Sequence, residues 1–164
     1  MSIRGENCKK QLSRWLKMIV DNLQHKWISI KGIEHLSDVS TSSCIPNSLG
    51  IYQFCIGEEV VYIGKAAESG RGFKKRIADY TRKDDSARIF DAGFLANKHQ
   101  SEISLKVLTW DNPLQIDALE AIFISVMMPA WNQKLEEWYS KHIDDSDIPE
   151  QIKKRRALRK KSKI

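Results

Sequence analysis

From Glu6 to Trp27, the residues Leu12, Trp15, Leu16, Ile19, Leu23 and Trp27 recur at three- and four-residue spacing with charge between them, the pattern of an amphipathic helix. The short apolar stretch Trp27 to Ile33 reads as a strand. Ser37 to Ser48 is rich in serine, holds a proline and an asparagine, and reads as a linker. Gly50 to Ile63 contains two runs of β-branched and aromatic residues around Ile56-Gly57-Glu58-Glu59, which predicts a β-hairpin. Gly64 to Gly72 holds three glycines and predicts a loop. Phe73 to Lys83 is helical in pattern, as is Ser86 to His99 with Ser86 as N-cap. Ile103 to Trp110 is a third strand. Pro113 to Met128 is a helix opened by Asn112-Pro113 and closed before Pro129. Leu135 to Ile143 is a final short helix.

This order predicts an α+β fold, with a small three-stranded, antiparallel-type sheet flanked by helices. It divides the chain into an N-terminal helical extension and linker over 1–48, a main domain over 49–145 and a C-terminal tail over 146–164. The 164 residues suit one domain with extensions. No apolar run approaches the roughly 20 residues of a membrane span, so no membrane association is expected. Cys8, Cys44 and Cys55 have no CxxC spacing, which points away from a disulfide framework and toward a reducing, cytoplasmic setting.

Charge changes the picture at two places. Pro149 to Ile164 holds eight basic residues, Lys153, Lys154, Arg155 and Arg156 among them, and one acidic residue. The other 148 residues hold 19 basic and 20 acidic residues, so the whole cationic excess lies in this tail. A mobile cationic tail suits a polyanion, most simply nucleic acid; a solvated end is the plain alternative. The second place is Tyr62 to Lys83, with seven basic residues (Lys65, Arg71, Lys74, Lys75, Arg76, Arg82, Lys83) against Glu68 and Asp79. The glycine loop within it is expected to leave backbone amides free for a phosphate.

Among candidate chemical groups, Glu120 is the most conspicuous. A helical wheel of Pro113 to Met128 places it between Ile116 and Met127, inside the apolar face, with Asp117 and Ser125 on the other side. A carboxylate there needs a cationic partner or a metal. Tyr52 and Tyr62 lie on the two arms of one hairpin, and Arg76 and Tyr80 stand one helical turn apart. Trp15, Trp27, Trp110 and Trp138 read as core. The four histidines have no metal-ligand spacing, and no serine or cysteine nucleophile motif is present.

These residues in this order resemble the GIY-YIG nuclease family. Gly50-Ile51-Tyr52 and Tyr62-Ile63-Gly64 match both halves of the name motif, with nine residues between them, and Lys65 follows. Phe73 to Ile77 looks like the family's arginine helix, Ala118-Leu119-Glu120 matches the helical glutamate, and Pro129-Ala130-Trp131-Asn132 matches the later asparagine. The resemblance spans about Leu49 to Lys134. The compact form and the P-x-W-N ending look most like the phage endonuclease II and restriction members. The stretch Ala66 to Gly72 is longer than in repair-type members.

The resemblance implies divalent-metal-dependent hydrolysis of phosphodiester bonds in DNA, double-stranded DNA being the expected partner. It implies Mg²⁺ or Mn²⁺ at Glu120, Arg76 as phosphate clamp, and Tyr52 as general base or water-orienting group. Lys65 is the expected cation beside Tyr52, with Tyr62 assisting. Asn132 is expected to bond a phosphate or brace the site, and Gly64 to allow close backbone approach. Arg71, Lys74, Lys75 and Tyr80 are expected DNA contacts, together with the tail residues. The N-terminal helix is a candidate surface for self-association. The rival from another class is a non-catalytic DNA-binding module on the same fold, and RNA is the alternative substrate.

Overall fold

A computed structural model describes residues 3–40, 44–81, 91–133 and 141–161. Its centre is the expected hairpin. β2 (Gly50–Ile56) and β3 (Glu59–Ala66) run antiparallel around a two-residue turn at Gly57-Glu58. Gly57 has φ +59°, and glycine is the favoured residue where a hairpin turn needs positive φ. Tyr52 lies opposite Gly64 and Phe54 opposite Tyr62, with a bulge between Phe54 and Cys55. β4 (Ile103–Thr109) pairs antiparallel along the other edge of β2, Tyr52 facing Val107. All of Gly50 to Cys55 is buried, as a central strand covered on both faces must be.

The sheet has four strands, not three. β1 (Ile28–Ser29) pairs antiparallel with the free edge of β4, giving the order β1-β4-β2-β3. The Trp27 to Ile33 stretch is a strand for two residues only, and it extends the main sheet. β3 also runs further than expected. Its pairing continues through Lys65 and Ala66, so the loop shrinks to residues 67–71.

Two layers sandwich this sheet. On one face, α1 (Ile3–Leu23) and α4 (Pro113–Met127) supply Val20, Ile116, Leu119 and Phe123, packed with Ile51, Ile63 and Leu108. On the other, α2 (Gly72–Thr81), α3 (Asp91–Lys98), α5 (Ala130–Gln133) and α6 (Glu150–Lys161) contribute Phe73, Ile77, Tyr80, Leu95, Trp131 and Ile152, packed with Tyr52, Phe54 and Val107. α4 begins and ends as expected. The Asn112 side chain accepts from the Leu114 amide, Pro113 opens the first turn, and Met128 ends the helix in the left-handed region.

Three expectations are corrected here. Trp15 is 58% exposed and is not core. Val20 and Leu23 turn toward the body, which rotates Leu12 and Trp15 toward solvent. The basic tail is not a mobile end: residues 150–161 form α6, with Ile152 wholly buried. Ser37 to Ser48 is not plain linker, because Leu36–Ser40 forms a 3₁₀ turn whose Leu36 is wholly buried. Ser86, Trp138 and most of the Leu135 to Ile143 helix lie outside the described residues.

Candidate active site

The strand alternation of β3 divides the candidate residues between the two faces of the sheet. Tyr62 points to the face of Tyr52 and Phe54, and Lys65 shares the opposite face with Ile63. β3 is an edge strand, so residues from both faces meet around its free side.

On the first face, Tyr52, Phe54, Tyr62 and Tyr80 form one aromatic cluster. Tyr52 and Tyr62 are diagonal partners across the hairpin, with ring centroids 6.3 Å apart, and Phe54 stands edge-on to Tyr80 at 5.0 Å. The hydroxyls of Tyr52 and Tyr80 are 2.8 Å apart and hydrogen-bonded, and Tyr80 Oη donates to Tyr62 Oη at 3.4 Å. Tyr52 is wholly buried, Tyr80 is 3% exposed and Tyr62 is half-buried. Burial drives all three phenols above their ordinary range, because each ionised form would lose its water. For Tyr52 the neighbouring Tyr62 adds to the rise, while the Arg76 guanidinium and the Tyr80 hydrogen bond oppose it. Tyr52 is the chief cause raising the Arg76 pKa and hydrogen-bonds to the guanidinium, while burial opposes the rise.

Gly64 is explained by the same cluster. A β-carbon there would overlap the ring and hydroxyl of Tyr52, so the absent side chain makes room for Tyr52. The close approach expected at this glycine is therefore made from within the protein.

On the second face, Lys65 Nζ lies 3.0 Å from Asp117 Oδ1 and 3.1 Å from Glu120 Oε2. Both carboxylates raise the Lys65 pKa, Asp117 most. The wheel separated Asp117 from Glu120, yet the structure brings both to one ammonium. They are three residues apart, one helical turn, so a long lysine at the helix rim reaches both. That spacing was the missed signal. Lys65 is thus held by carboxylates, and the cation acting on Tyr52 is Arg76. Glu120 reaches across the edge of β3 electrostatically and raises the Tyr62 pKa further, though as the smallest cause.

Asn132 spends its amide on the backbone of β3. Its Oδ1 accepts from Ile63 N at 2.8 Å and its Nδ2 donates to Ile63 O at 2.9 Å. This satisfies one residue of the sheet's open edge and braces the strand between Tyr62 and Gly64.

The expectation of free amides before Arg76 is overturned. Gly72 N donates to Glu68 O, Phe73 N to Ser48 O, Lys74 N to Pro46 O and Lys75 N to Arg71 O, all at 3.1–3.2 Å. The incoming segment 46–48 lies against the start of α2 and takes the amides a phosphate would need. Glu68, in the same loop, pairs with Lys75 at 3.2 Å and Arg71 at 3.5 Å, so two of the expected DNA cations have a carboxylate partner on the surface. Lys74 is exposed.

A cavity of about 230 Å³ lies beside the end of β3 and the start of α2. It is lined by Lys65, Ala66, Ala67, Glu68, Gly72, Lys75, Arg76 and Asp79. Lys65, with Glu120 behind it, and Arg76, with the tyrosines behind it, thus border one space. Of the tail residues, Lys153 pairs with Glu150 at 3.2 Å and Lys154 is exposed on α6.

The chain is 33% identical over 94 residues to UvrABC system protein C of Fervidobacterium nodosum. The matched stretch covers 57% of this chain and 15% of that protein, so the chain spans a small part of the length of the relative it matches. No family model matches the chain. No solved structure matches it. Among the described residues, no helix is long and apolar enough to cross a membrane.

Proposed function

We propose that this chain is a divalent-metal-dependent DNA endonuclease of the GIY-YIG kind, hydrolysing phosphodiester bonds in the cleft between Lys65 and Arg76. The observation that carries this reading is that Lys65, paired with Glu120, and Arg76 line one cavity beside β3. The likeness to UvrABC system protein C supports DNA as the substrate.

The residues fit a hard cation held sparsely. Among the described residues, no group of three histidine, cysteine or acidic side chains surrounds one point. Glu120 and Asp117 nevertheless bring two carboxylate oxygens to one ammonium, so this spot accommodates positive charge between hard oxygen donors. Glu120 is the better placed ligand, its side chain being 20% exposed against 65% for Asp117. Glu120, with Asp117 beside it, would hold Mg²⁺ or Mn²⁺, which would supply stabilisation of negative charge on the phosphate and the leaving oxygen.

The chain's own residues do the rest. Arg76 presents a planar guanidinium to the scissile phosphate and is kept in place by Tyr52. Tyr62 is the least buried of the three phenols and orients the attacking water. The raised pKa of Tyr52 favours its protonated form, whose hydroxyl donates to Tyr80 and accepts from Arg76. Asn132 holds Tyr62 and Gly64 in register. Lys65 would be released toward the phosphate if Glu120 held a cation, and Asp117 would keep it near.

Supercoiled plasmid incubated with the chain and Mg²⁺, with and without EDTA, tests the reading. Nicked or linear products that EDTA suppresses are expected. The specific observation favouring a non-catalytic module is that Lys65 already satisfies Glu120. Tight DNA binding with no metal-dependent cutting of plasmid, branched DNA or RNA would decide for that module.

A further inference from the structure

We propose that α6 is a docked arm that grips the phosphate backbone of a DNA duplex at a fixed distance from the cleft. The inference rests on the DNA reading above and adds the second contact surface.

Seven of the twelve residues of α6 are lysine or arginine, and Glu150 is its one carboxylate. Such spacing puts like charges three and four positions apart, which destabilises an isolated helix. Lys and Arg are good helix formers, but short helices rest chiefly on tertiary packing. That packing is visible here. Ile152 (wholly buried) and Ile148 (4% exposed) belong to the cluster that holds Tyr52, Phe54 and Tyr80. The turn before the helix, Asp145–Asp147, is capped by Asp144 and tied to the end of α3 by Lys98 Nζ–Asp147 Oδ2 at 2.9 Å. The cationic helix is therefore fixed to the same core as the tyrosines behind Arg76.

Among the described side chains of α6, the ion pair on its cations is the exposed one of Lys153 with Glu150 in the same helix. Beyond Ile152, Lys154, Ala157, Leu158 and Lys161 are all exposed. Leu158 is the one large apolar side chain exposed on α6, so the helix lacks the apolar stripe that insertion at a lipid surface requires. A polyanion with regularly spaced charges fits better. At 1.5 Å per residue the twelve residues extend about 18 Å, the axial rise of about five base pairs of duplex. A mobile tail of the same composition would add affinity alone. A docked helix also fixes where the duplex lies.

The test uses the full chain carrying Glu120→Ala, binding a 30-bp duplex across a salt series, with hydroxyl-radical footprinting. Replacing Lys153, Lys154, Arg155 and Arg156 by glutamine is expected to flatten the slope of log K against log salt by about 3 to 4, at about 0.9 per lost phosphate contact. Ile152→Ser keeps every charge. It is expected to retain most of the slope but to lose about five base pairs of discrete protection. An unchanged slope in the glutamine variant overturns the arm, and an unchanged footprint in Ile152→Ser overturns its docking. Should Ile152→Ser fail to fold by circular dichroism, the glutamine variant's footprint decides: retention of those base pairs overturns the arm. A parent chain that cuts plasmid while its glutamine variant binds equally well sinks the arm and leaves the nuclease. A parent that binds through α6 yet never cuts sinks the nuclease and leaves the arm. Binding of phosphatidylserine vesicles through α6, with none of duplex, overturns the arm as a DNA element.

Discussion

The two faces of the sheet solve different problems with neighbouring residues of one strand. Toward α2, β3 offers Tyr62 to a dry aromatic cluster in which hydroxyls bond one another and phenols stay protonated. Toward α4, three residues later, it offers Lys65 to two carboxylates at the solvent rim. The first arrangement gains precision from burial and is rigid. The second is ionic, half-exposed and exchangeable, since surface ion pairs are worth little. The two arrangements meet at the edge of the sheet that β3 forms.

The sharpest test of this contrast is Glu120→Ala. It removes the carboxylate of the ionic face and is expected to lower the cleavage rate at least about a thousandfold, as loss of several kcal/mol of metal-assisted stabilisation requires. The melting temperature should barely move. A variant that still cuts with Mg²⁺ at near the parent rate breaks the assignment of Glu120 as the ligand.

On the aromatic face the ranking reverses, because geometry there is also stability. Gly64→Ala forces a methyl into the Tyr52 ring and is expected to destabilise the fold by about 1–3 kcal/mol in urea unfolding. An unaltered midpoint would mean the ring moves aside freely. Asn132→Ala strips two hydrogen bonds from Ile63 and is expected to cost about 1–3 kcal/mol. Cleavage should fall further than that loss of stability explains, because Tyr62 and Gly64 flank the braced residue.

The smallest effect concerns pH. The folded-state pKa values of Tyr52, Tyr62 and Tyr80 lie above the ordinary phenol value of 10.0. Their contribution to stability is thus fully present below about pH 10. It is lost as pH rises further, when phenols of the unfolded chain ionise and the buried ones do not. Denaturation midpoints should be flat in this respect from pH 7 to 9.5 and fall above that. With Tyr139 replaced by phenylalanine, phenolate absorbance near 295 nm appearing in the folded chain below pH 10 would show that the cluster is wetter than the structure has it.

Local pattern accounts for much of the fold. The hairpin around Gly57, the limits of α4 with its Asn112 cap, the strand at Ile103 and the helix of Arg76 all follow from periodicity and from residues whose backbone preferences act within a few positions. Glu120 stood out for the same reason, as a carboxylate among apolar neighbours on one wheel. The strand at Ile28 was harder to read, because two residues carry no period and only the free edge of β4 makes them a strand. The orientation of α1 was also misread. Its apolar positions allow several rotations, and packing of Val20 selects the one that exposes Trp15.

By itself, then, the sequence determined most of the elements, which residues are candidates for chemistry, and that positive charge concentrates at the end of the chain. Tertiary structure alone decided how those residues are spent. It gave the amides of α2 to Pro46 and Ser48, Lys65 to Asp117 and Glu120, Asn132 to Ile63, and the space at Gly64 to Tyr52. It also turned a cationic end into a helix held by Ile152. The reason is range. Propensities and caps act over one or two turns of chain, whereas these pairings join residues distant in sequence, whose meeting depends on the register of the sheet and the faces the helices bury.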